Sequence, residues 1–167
     1  SNLFPSFIWG PFKTISVIIR AIPELIIAYI LIPVTGLGAL TGTLAIGIGT
    51  IGTFGKWQSE LTEEIEYGQR EALMAVGASS IVETRWAVIP QILPSLLSFY
   101  IYRFEINIRA SAILGLIGAG GIGAELLGQF FYRDYPKAGT VVLITVIVVI
   151  IIDQISSKIR NKIIEGQ

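Results

Sequence analysis

The polar residues that could bind a ligand or take part in a reaction lie close together inside one apolar stretch of this chain. Residues 95–118 read SLLSFYIYRFEINIRASAILGLIG and include Arg103, Glu105, Asn107 and Arg109. At about 100° of rotation per helical residue, Arg103 shares a face with Asn107, and Arg109 shares a different face with Glu105. An arginine at the centre of a membrane helix costs on the order of 2.5–3.5 kcal/mol, so it needs a partner, water or a function. For Arg109, an ion pair with Glu105 and a functional role both stay open.

A second chemical pattern is the run IGAGGIGAELL at residues 117–127, where Gly118, Gly120 and Gly123 have the spacing G-x-G-x-x-G. A dinucleotide-binding turn of this kind needs a preceding strand, a following helix and an acidic residue about 20 positions further on. Here the glycines follow an apolar span, and no acidic residue lies at that distance. We therefore expect no cofactor, and we expect these glycines and Gly121 to break a helix. The break would act as a hinge or gate, or simply allow close packing.

Composition places these residues in a membrane protein. The chain of 167 residues is 53% hydrophobic and 14% charged, with a mean hydropathy of +0.72. Soluble domains carry about 25% charged residues, so too few polar side chains are present to cover a surface in water. Twelve basic and twelve acidic residues cancel, which argues against nucleic-acid binding. Histidine and cysteine are both absent from the sequence, and we therefore predict no metal site.

The apolar segments predict an all-α integral membrane protein with about four transmembrane helices, since a bilayer core takes about 20 apolar residues. The predicted spans are residues 15–34, 36–55, 95–118 and 138–157. In the first span Arg20 and Glu24 are four residues apart, which predicts an ion pair on one helix face. The second span is rich in small residues, including Gly38 and Gly42, and this predicts close helix packing.

Basic residues predict the orientation of these spans. Seven lie on the side that contains both chain ends and the long loop 56–89, namely Lys13, Lys56, Arg70, Arg85, Lys158, Arg160 and Lys162. Only Arg133 and Lys137 lie on the other side, so we expect both ends and the loop to be cytoplasmic. Residues 1–167 are expected to form a single, partial domain. The sequence has no initiator Met and no signal-peptide pattern at its start, and we expect a fragment or a processed form.

Loop 56–89 carries a series of local signals for short helices. The expected features are a helix cap at Thr62, a break at Gly68, a left-handed corner at Gly77, a capping box Ser80-x-x-Glu83 and a helix end before Pro90. Together they predict two short helices that meet at a glycine corner, although an ordinary solvated loop is the simpler alternative.

Within this loop, EALMAVGASSIVETRWAVIP resembles the EAA loop of ABC importer permeases. Glu71, Ala72, Gly77 and Pro90 match the family spacing, whereas Leu73 replaces the usual second Ala. The stretches RAIPELIIAYI, YRFEINIRASAILGLIGAGGIGAEL and DYPKA are similar to the phosphonate-import permeases, a subfamily that also includes phosphite importers. The resemblance extends over about residues 13–164.

The resemblance implies the fold of a type I ABC importer permease in the bacterial inner membrane, with a cytoplasmic ATPase dimer, a second permease copy and an extracytoplasmic solute-binding protein as partners. Glu71, Ala72, Gly77 and Pro90 would then couple the chain to the ATPase. Such permeases carry further N-terminal membrane helices. With no G-x-x-x-x-G-K-[ST] motif in the sequence, we expect a transport subunit and not an enzyme.

An anionic phosphonate or phosphite would give Arg103, Asn107 and Arg109 a role in the solute path, because guanidinium binds such oxygens through two prongs. Two alternatives stay open. One is a permease for another small solute such as methionine. The other is a membrane enzyme that uses the Glu and Arg residues of the third predicted span.

Overall fold

The computed structural model describes residues 6–165, and these residues form helices joined by short connections, with no strand among them. The helices are α1 (Ser6–Ala21), α2 (Glu24–Thr35), α3 (Ala39–Glu63), α4 (Tyr67–Ala75), α5 (Ser80–Glu83), α6 (Ile89–Leu114), α7 (Gly121–Phe131) and α8 (Tyr135–Glu165). A π-helical turn, Thr84–Val88, joins α5 to α6, and the segment Gly115–Ala119 joins α6 to α7. The all-α fold expected from the sequence is confirmed.

Among the described residues 6–165, one straight helix has the length and apolarity of a membrane span. It covers Tyr135–Ile164, 30 residues with a mean hydropathy of 2.5. Two bent helix pairs reach the same standard when each pair is taken as one span, which gives up to three. The helix α3 has 25 residues, but its many glycines and threonines keep it below that apolarity. The expected number of four spans is therefore not confirmed.

The first expected span, residues 15–34, is not one helix. α1 ends at Ala21, α2 begins at Glu24, and their axes differ by 89°. Pro23 precedes α2 with φ −57° and ψ 138°, an extended conformation that interrupts the helix. The predicted ion pair between Arg20 and Glu24 is wrong for this reason: the two residues no longer share a helix face, and Glu24 binds Arg103.

Close packing around α3 is confirmed at its glycines. A Cβ atom at Gly42 would lie 3.0 Å from the Cβ atom of Ala119, and one at Gly52 would lie 2.9 Å from Cγ2 of Ile19. Side chains at these positions would push the neighbouring segments away. α3 thus lies between α1, α2 and α6 and brings them together. The small buried apolar core is formed by Ile27, Ala28, Ala45 and Leu114.

Several expected boundaries in loop 56–89 are wrong. The first is at Thr62, because α3 continues to Glu63. Thr62 does not cap a new helix; its hydroxyl donates to the carbonyl of Gln58 at 2.7 Å inside α3. Gly68 lies in the first turn of α4 and does not break it. Near Ser80 the N-cap residue is Ser79, and no side-chain hydrogen bond caps α5, so the capping box does not form.

The corner at Gly77 is confirmed. Gly77 has φ +76°, its N–H donates to the carbonyl of Met74 at 2.9 Å, and the N–H of Ala78 donates to the carbonyl of Leu73 at 3.0 Å. These two bonds form a Schellman motif, which ends α4 and turns the chain toward α5.

The sequence predicts a helix end before Pro90, but this prediction is wrong, because the chain stays helical through the proline. The turn Thr84–Val88 leads directly into α6, and the N–H of Ile89 bonds to the carbonyl of Thr84, five residues back. Pro90 falls at the start of α6, where a proline needs no backbone donor. The shifted hydrogen-bond register of the π-turn therefore absorbs the proline.

Candidate functional site

The first group of interior polar residues, the Arg103 cluster, consists of Glu24, Thr50, Arg103 and Asn107. These residues come from α2, α3 and α6. Arg103 is buried; its Nη2 donates to Oε1 of Glu24, and its Nε donates to the hydroxyl of Thr50 at 3.3 Å. A Cβ atom at Gly49 would lie only 3.1 Å from Cγ of Glu24, so the glycine makes room for this ion pair.

Asn107 completes the Arg103 cluster, as the helical spacing predicted. Its Nδ2 donates to the same Thr50 hydroxyl at 3.3 Å. Its Oδ1 atom is buried and has no hydrogen-bond partner within the part of the chain that the structure describes. This oxygen can therefore accept a hydrogen bond from a further donor.

The second group, the Glu105 cluster, joins α6 to α8 through Glu105, Arg109, Arg160 and Tyr102. The carboxylate of Glu105 is buried and accepts from Nη2 of Arg109 at 3.0 Å and from Nη1 of Arg160 at 3.2 Å. The guanidinium of Arg160 also lies over the ring of Tyr102, with 5.6 Å between its Cζ and the ring centroid. Glu105 and Arg109, which the helical period places on one face, thus form an ion pair.

Exposure separates the two arginines of α6. The side chain of Arg103 is 10% exposed, and that of Arg109 is 53% exposed. A guanidinium carries five N–H donors, and Arg109 uses one of them on Glu105. Arg109 can therefore meet a solute without breaking its ion pair, whereas burial leaves little of Arg103 accessible.

The third feature is the α4–α5 unit, residues 67–88. Nε of Arg70 in α4 donates to Oε2 of Glu83 in α5 at 3.0 Å, and both side chains are largely buried. This ion pair spans the Gly77 corner and links the two helices. On the outside, Val76 and Ile81 are 79% and 80% exposed. Of the residues singled out by the loop motif, Glu71, Ala72, Gly77 and Pro90 are all exposed.

The glycine-rich segment does break the helix. Gly118, Gly120 and Gly121 have φ of +84°, +81° and +72°, and α7 is bent by 50° from the helix before it. A Cβ atom at Gly123 would lie 2.0 Å from the carbonyl oxygen of Ala112. The glycines therefore serve both a sharp change of direction and close backbone contact.

Sequence reasoning missed several of the residues that form these features. Among them are Thr50, Arg70, Tyr102, Gly115 and Arg160. Gly115 packs against Gly123, since a Cβ atom on Gly115 would lie 2.7 Å from the Cα atom of Gly123. The available signal was weak, since a lone Thr or Arg has no pattern of its own. Among residues 6–165 no group of three or more acidic side chains is arranged to hold a metal ion.

The described helices are apolar, two pairs of them are bent, and ion pairs lie between them beside the α4–α5 unit. These features define an all-helical integral membrane protein with a polar interior. The chain belongs to the family described as binding-protein-dependent transport system inner membrane component, whose model matches residues 3–161.

Two curated relatives and one solved structure make the likeness more specific. The chain is 36% identical over 160 residues to the phosphate-import permease protein PhnE of Mycolicibacterium smegmatis, covering 96% of this chain and 30% of that protein. It is 35% identical over 154 residues to the phosphite transport system permease protein PtxC of Stutzerimonas stutzeri, covering 92% of this chain and 56% of that protein. Their names describe permeases, as the loop motif had indicated.

The fold is similar to a chain of the MetNI methionine ABC transporter in an inward-facing conformation. The TM-score is 0.78 at 25% identity, covering 98% of this chain and 79% of that one. The expected type I importer fold is confirmed by this likeness. The chain spans 30% and 56% of the two curated relatives' own lengths.

Proposed function

We propose that the chain forms the transmembrane permease part of an ATP-driven importer for phosphonate, phosphite or a similar phosphorus oxyanion. A separate cytoplasmic ATPase dimer hydrolyses ATP, a second permease copy completes the path, and an extracytoplasmic binding protein delivers the solute. Both chain ends and the α4–α5 unit face the cytoplasm. The family, and relatives named for phosphate and phosphite import, support this proposal.

The observation that carries the proposal is the construction of the α4–α5 unit. A buried ion pair between Arg70 and Glu83 holds its two helices at a fixed angle. The same unit exposes Val76, Ile81 and Trp86. A rigid element transmits movement, and exposed apolar side chains at its tip need a partner surface. The α4–α5 unit is therefore the site at which the ATPase docks and drives the permease, with Glu71 and Ala72 exposed on α4 beside it.

Replacement of Gly77 by Val tests this docking role. Val at φ +76° is strained, so the corner must change its shape. Gly68→Val is the matched control, because Gly68 is helical and a Cβ atom there meets nothing within 4 Å. In the reconstituted importer, we expect Gly77→Val to abolish solute-stimulated ATP hydrolysis while membrane insertion persists. Normal stimulation in Gly77→Val would contradict the docking role.

The solute path is proposed to pass Arg109, and Arg103 and Asn107 are proposed to position the helices that line it. Arg109 offers an accessible guanidinium, and guanidinium binds the oxygens of phosphorus oxyanions through two prongs. Uptake of labelled phosphonate, phosphite, phosphate and methionine by the complete importer tests the class of solute. Saturable uptake of a phosphorus oxyanion supports the proposal. Uptake of methionine alone would favour the second candidate, which the likeness to the methionine transporter motivates.

The glycine break is proposed as a hinge of this path, through Gly118, Gly120, Gly121 and Gly123. Gly123→Ala places a methyl group against the carbonyl of Ala112 and should change the angle of α7. Gly128→Ala on the same helix is the control, since its Cβ atom would have no neighbour within 4 Å. We expect slower uptake in Gly123→Ala alone. Equal uptake in both variants would leave close packing as the whole explanation of the glycines.

A further inference from the structure

An apolar groove lies between α6 and α8. It has a volume of about 420 Å³, within the roughly 300–1,000 Å³ typical of ligand sites, and opens to the surroundings of the protein. Its lining consists of Tyr100, Ile101, Phe104, Ile152, Ile155, Ser156 and Ile159. We call this feature the α6–α8 groove.

Basic side chains lie at one end of the α6–α8 groove. Ile155, Ile159 and Lys162 are spaced at i, i+4 and i+7 on α8, so Lys162 continues the line of the groove residues. Arg160 follows the groove residue Ser156 by four positions in the same way. Lys162 is exposed, and the side chain of Arg160 is 23% exposed.

The charge at this end is positive even after its ion pair is counted. Glu105 is the acidic residue bonded to Arg160, and it is shared with Arg109. One carboxylate thus faces two guanidinium groups. Lys158 and Lys162 add exposed charges on the same half of α8, where the acidic residues are Asp153 and Glu165, so the basic residues still outnumber the acidic ones. Arg160 uses Nη1 for Glu105 and keeps further N–H donors.

We propose that the α6–α8 groove binds an anionic phospholipid. One acyl chain lies in the groove, and the phosphate group binds Arg160 and Lys162 at its end. Basic pockets between membrane helices attract acidic head groups in this way, and a zwitterionic lipid would gain less from the excess positive charge. The site is distinct from the proposed solute path, since it uses the α8 cations and not the free donors of Arg109.

The complete importer, purified in detergent and stripped of lipid, provides the test. Phosphatidylglycerol and phosphatidylcholine with the same acyl chains are added separately, and bound lipid is counted by native mass spectrometry. We expect phosphatidylglycerol to bind more tightly, and Lys162→Gln to weaken it about fivefold, as the loss of about one basic contact implies. Lys137→Gln, at the opposite end of α8, is the control and should leave binding unchanged.

Three results would overturn the proposal. Equal retention of the two lipids would remove the selectivity for an acidic head group. Competition by inorganic phosphate or methylphosphonate as strong as that by phosphatidylglycerol would identify a free-anion site instead. A disulfide between two copies of Ile155→Cys would assign the groove to a second copy of the chain, and the native sequence offers no cysteine to confuse this result.

Discussion

Arg103 and Arg109 lie six residues apart on α6, yet their surroundings are opposite. Arg103 is buried and bonds to Glu24 of α2 and Thr50 of α3. Arg109 is half exposed and shares its one carboxylate, Glu105, with another arginine. The Arg103 cluster therefore balances its charge internally, whereas the Glu105 cluster carries an excess of positive charge.

This difference indicates that the two clusters do different work. A closed ion pair between three helices holds those helices together, since separating it leaves charges without partners in an apolar setting. An open cluster with spare donors can bind an anion. We therefore assign helix positioning to the Arg103 cluster and solute contact to Arg109.

The largest expected effect is on the stability of the Arg103 cluster. Glu24→Ala leaves the guanidinium of Arg103 buried without its carboxylate, which should cost on the order of 3–5 kcal/mol. Glu125→Ala is the control, because Glu125 is exposed and its carboxylate accepts from Gln129 on the same helix. Denaturation of the purified permease in detergent measures the difference. Equal stability of the two variants would show that the Arg103 pair does not hold the helices together.

A smaller loss is expected in the Glu105 cluster. Glu105→Ala removes the shared acceptor, but Arg109 is half exposed and can regain water. The expected cost is therefore roughly 1–3 kcal/mol, below that of Glu24→Ala in the same denaturation experiment. A greater loss than in Glu24→Ala would reverse the ranking of the two clusters.

The smallest effect is expected at the exposed ion pair of Asp134 and Lys137, which calibrates the two buried clusters. A hydrogen bond from the side chain of Lys137 lowers the pKa of Asp134 below its ordinary value of 3.8. The ionised form is thus favoured by folding, so its contribution is present above that value and is lost as the pH falls through the lowered pKa. Asp134→Asn should give the smallest melting shift of this series at pH 7. The shift should disappear in strongly acidic buffer, and a constant shift at every pH would contradict this assignment.

The local parts of both clusters could be predicted from the sequence. The facing of Arg103 with Asn107, and of Arg109 with Glu105, follows from the helical period alone. The left-handed corner at Gly77 follows from a glycine at the end of a short helical run. These predictions needed only residues within a few positions of one another, where the backbone geometry is known in advance.

The remaining contacts depend on how distant segments pack. Glu24 and Arg103 are 79 residues apart, and Glu105 and Arg160 are 55 apart, so no local pattern joins them. Arg20 is close in sequence to Glu24, which predicts it as the partner, but Pro23 ends the shared helix. The helix end expected before Pro90 failed for a similar reason, since the preceding π-turn accommodates the proline.

Arg109 is proposed to contact the solute and Arg103 to hold the helices together, and one paired measurement tests this division of roles. Uptake of labelled solute and thermal stability are measured for Arg109→Lys and Arg103→Lys in the complete importer at matched expression. Lysine keeps the charge but loses the two-pronged geometry. Arg109→Lys should retain wild-type stability and lose roughly tenfold in uptake, the effect of one charge-assisted hydrogen bond worth on the order of 1.5 kcal/mol. Arg103→Lys should lower thermal stability, and any loss of its uptake should follow from that. Wild-type uptake in Arg109→Lys, or an equal loss of stability in both variants, would contradict this division of roles.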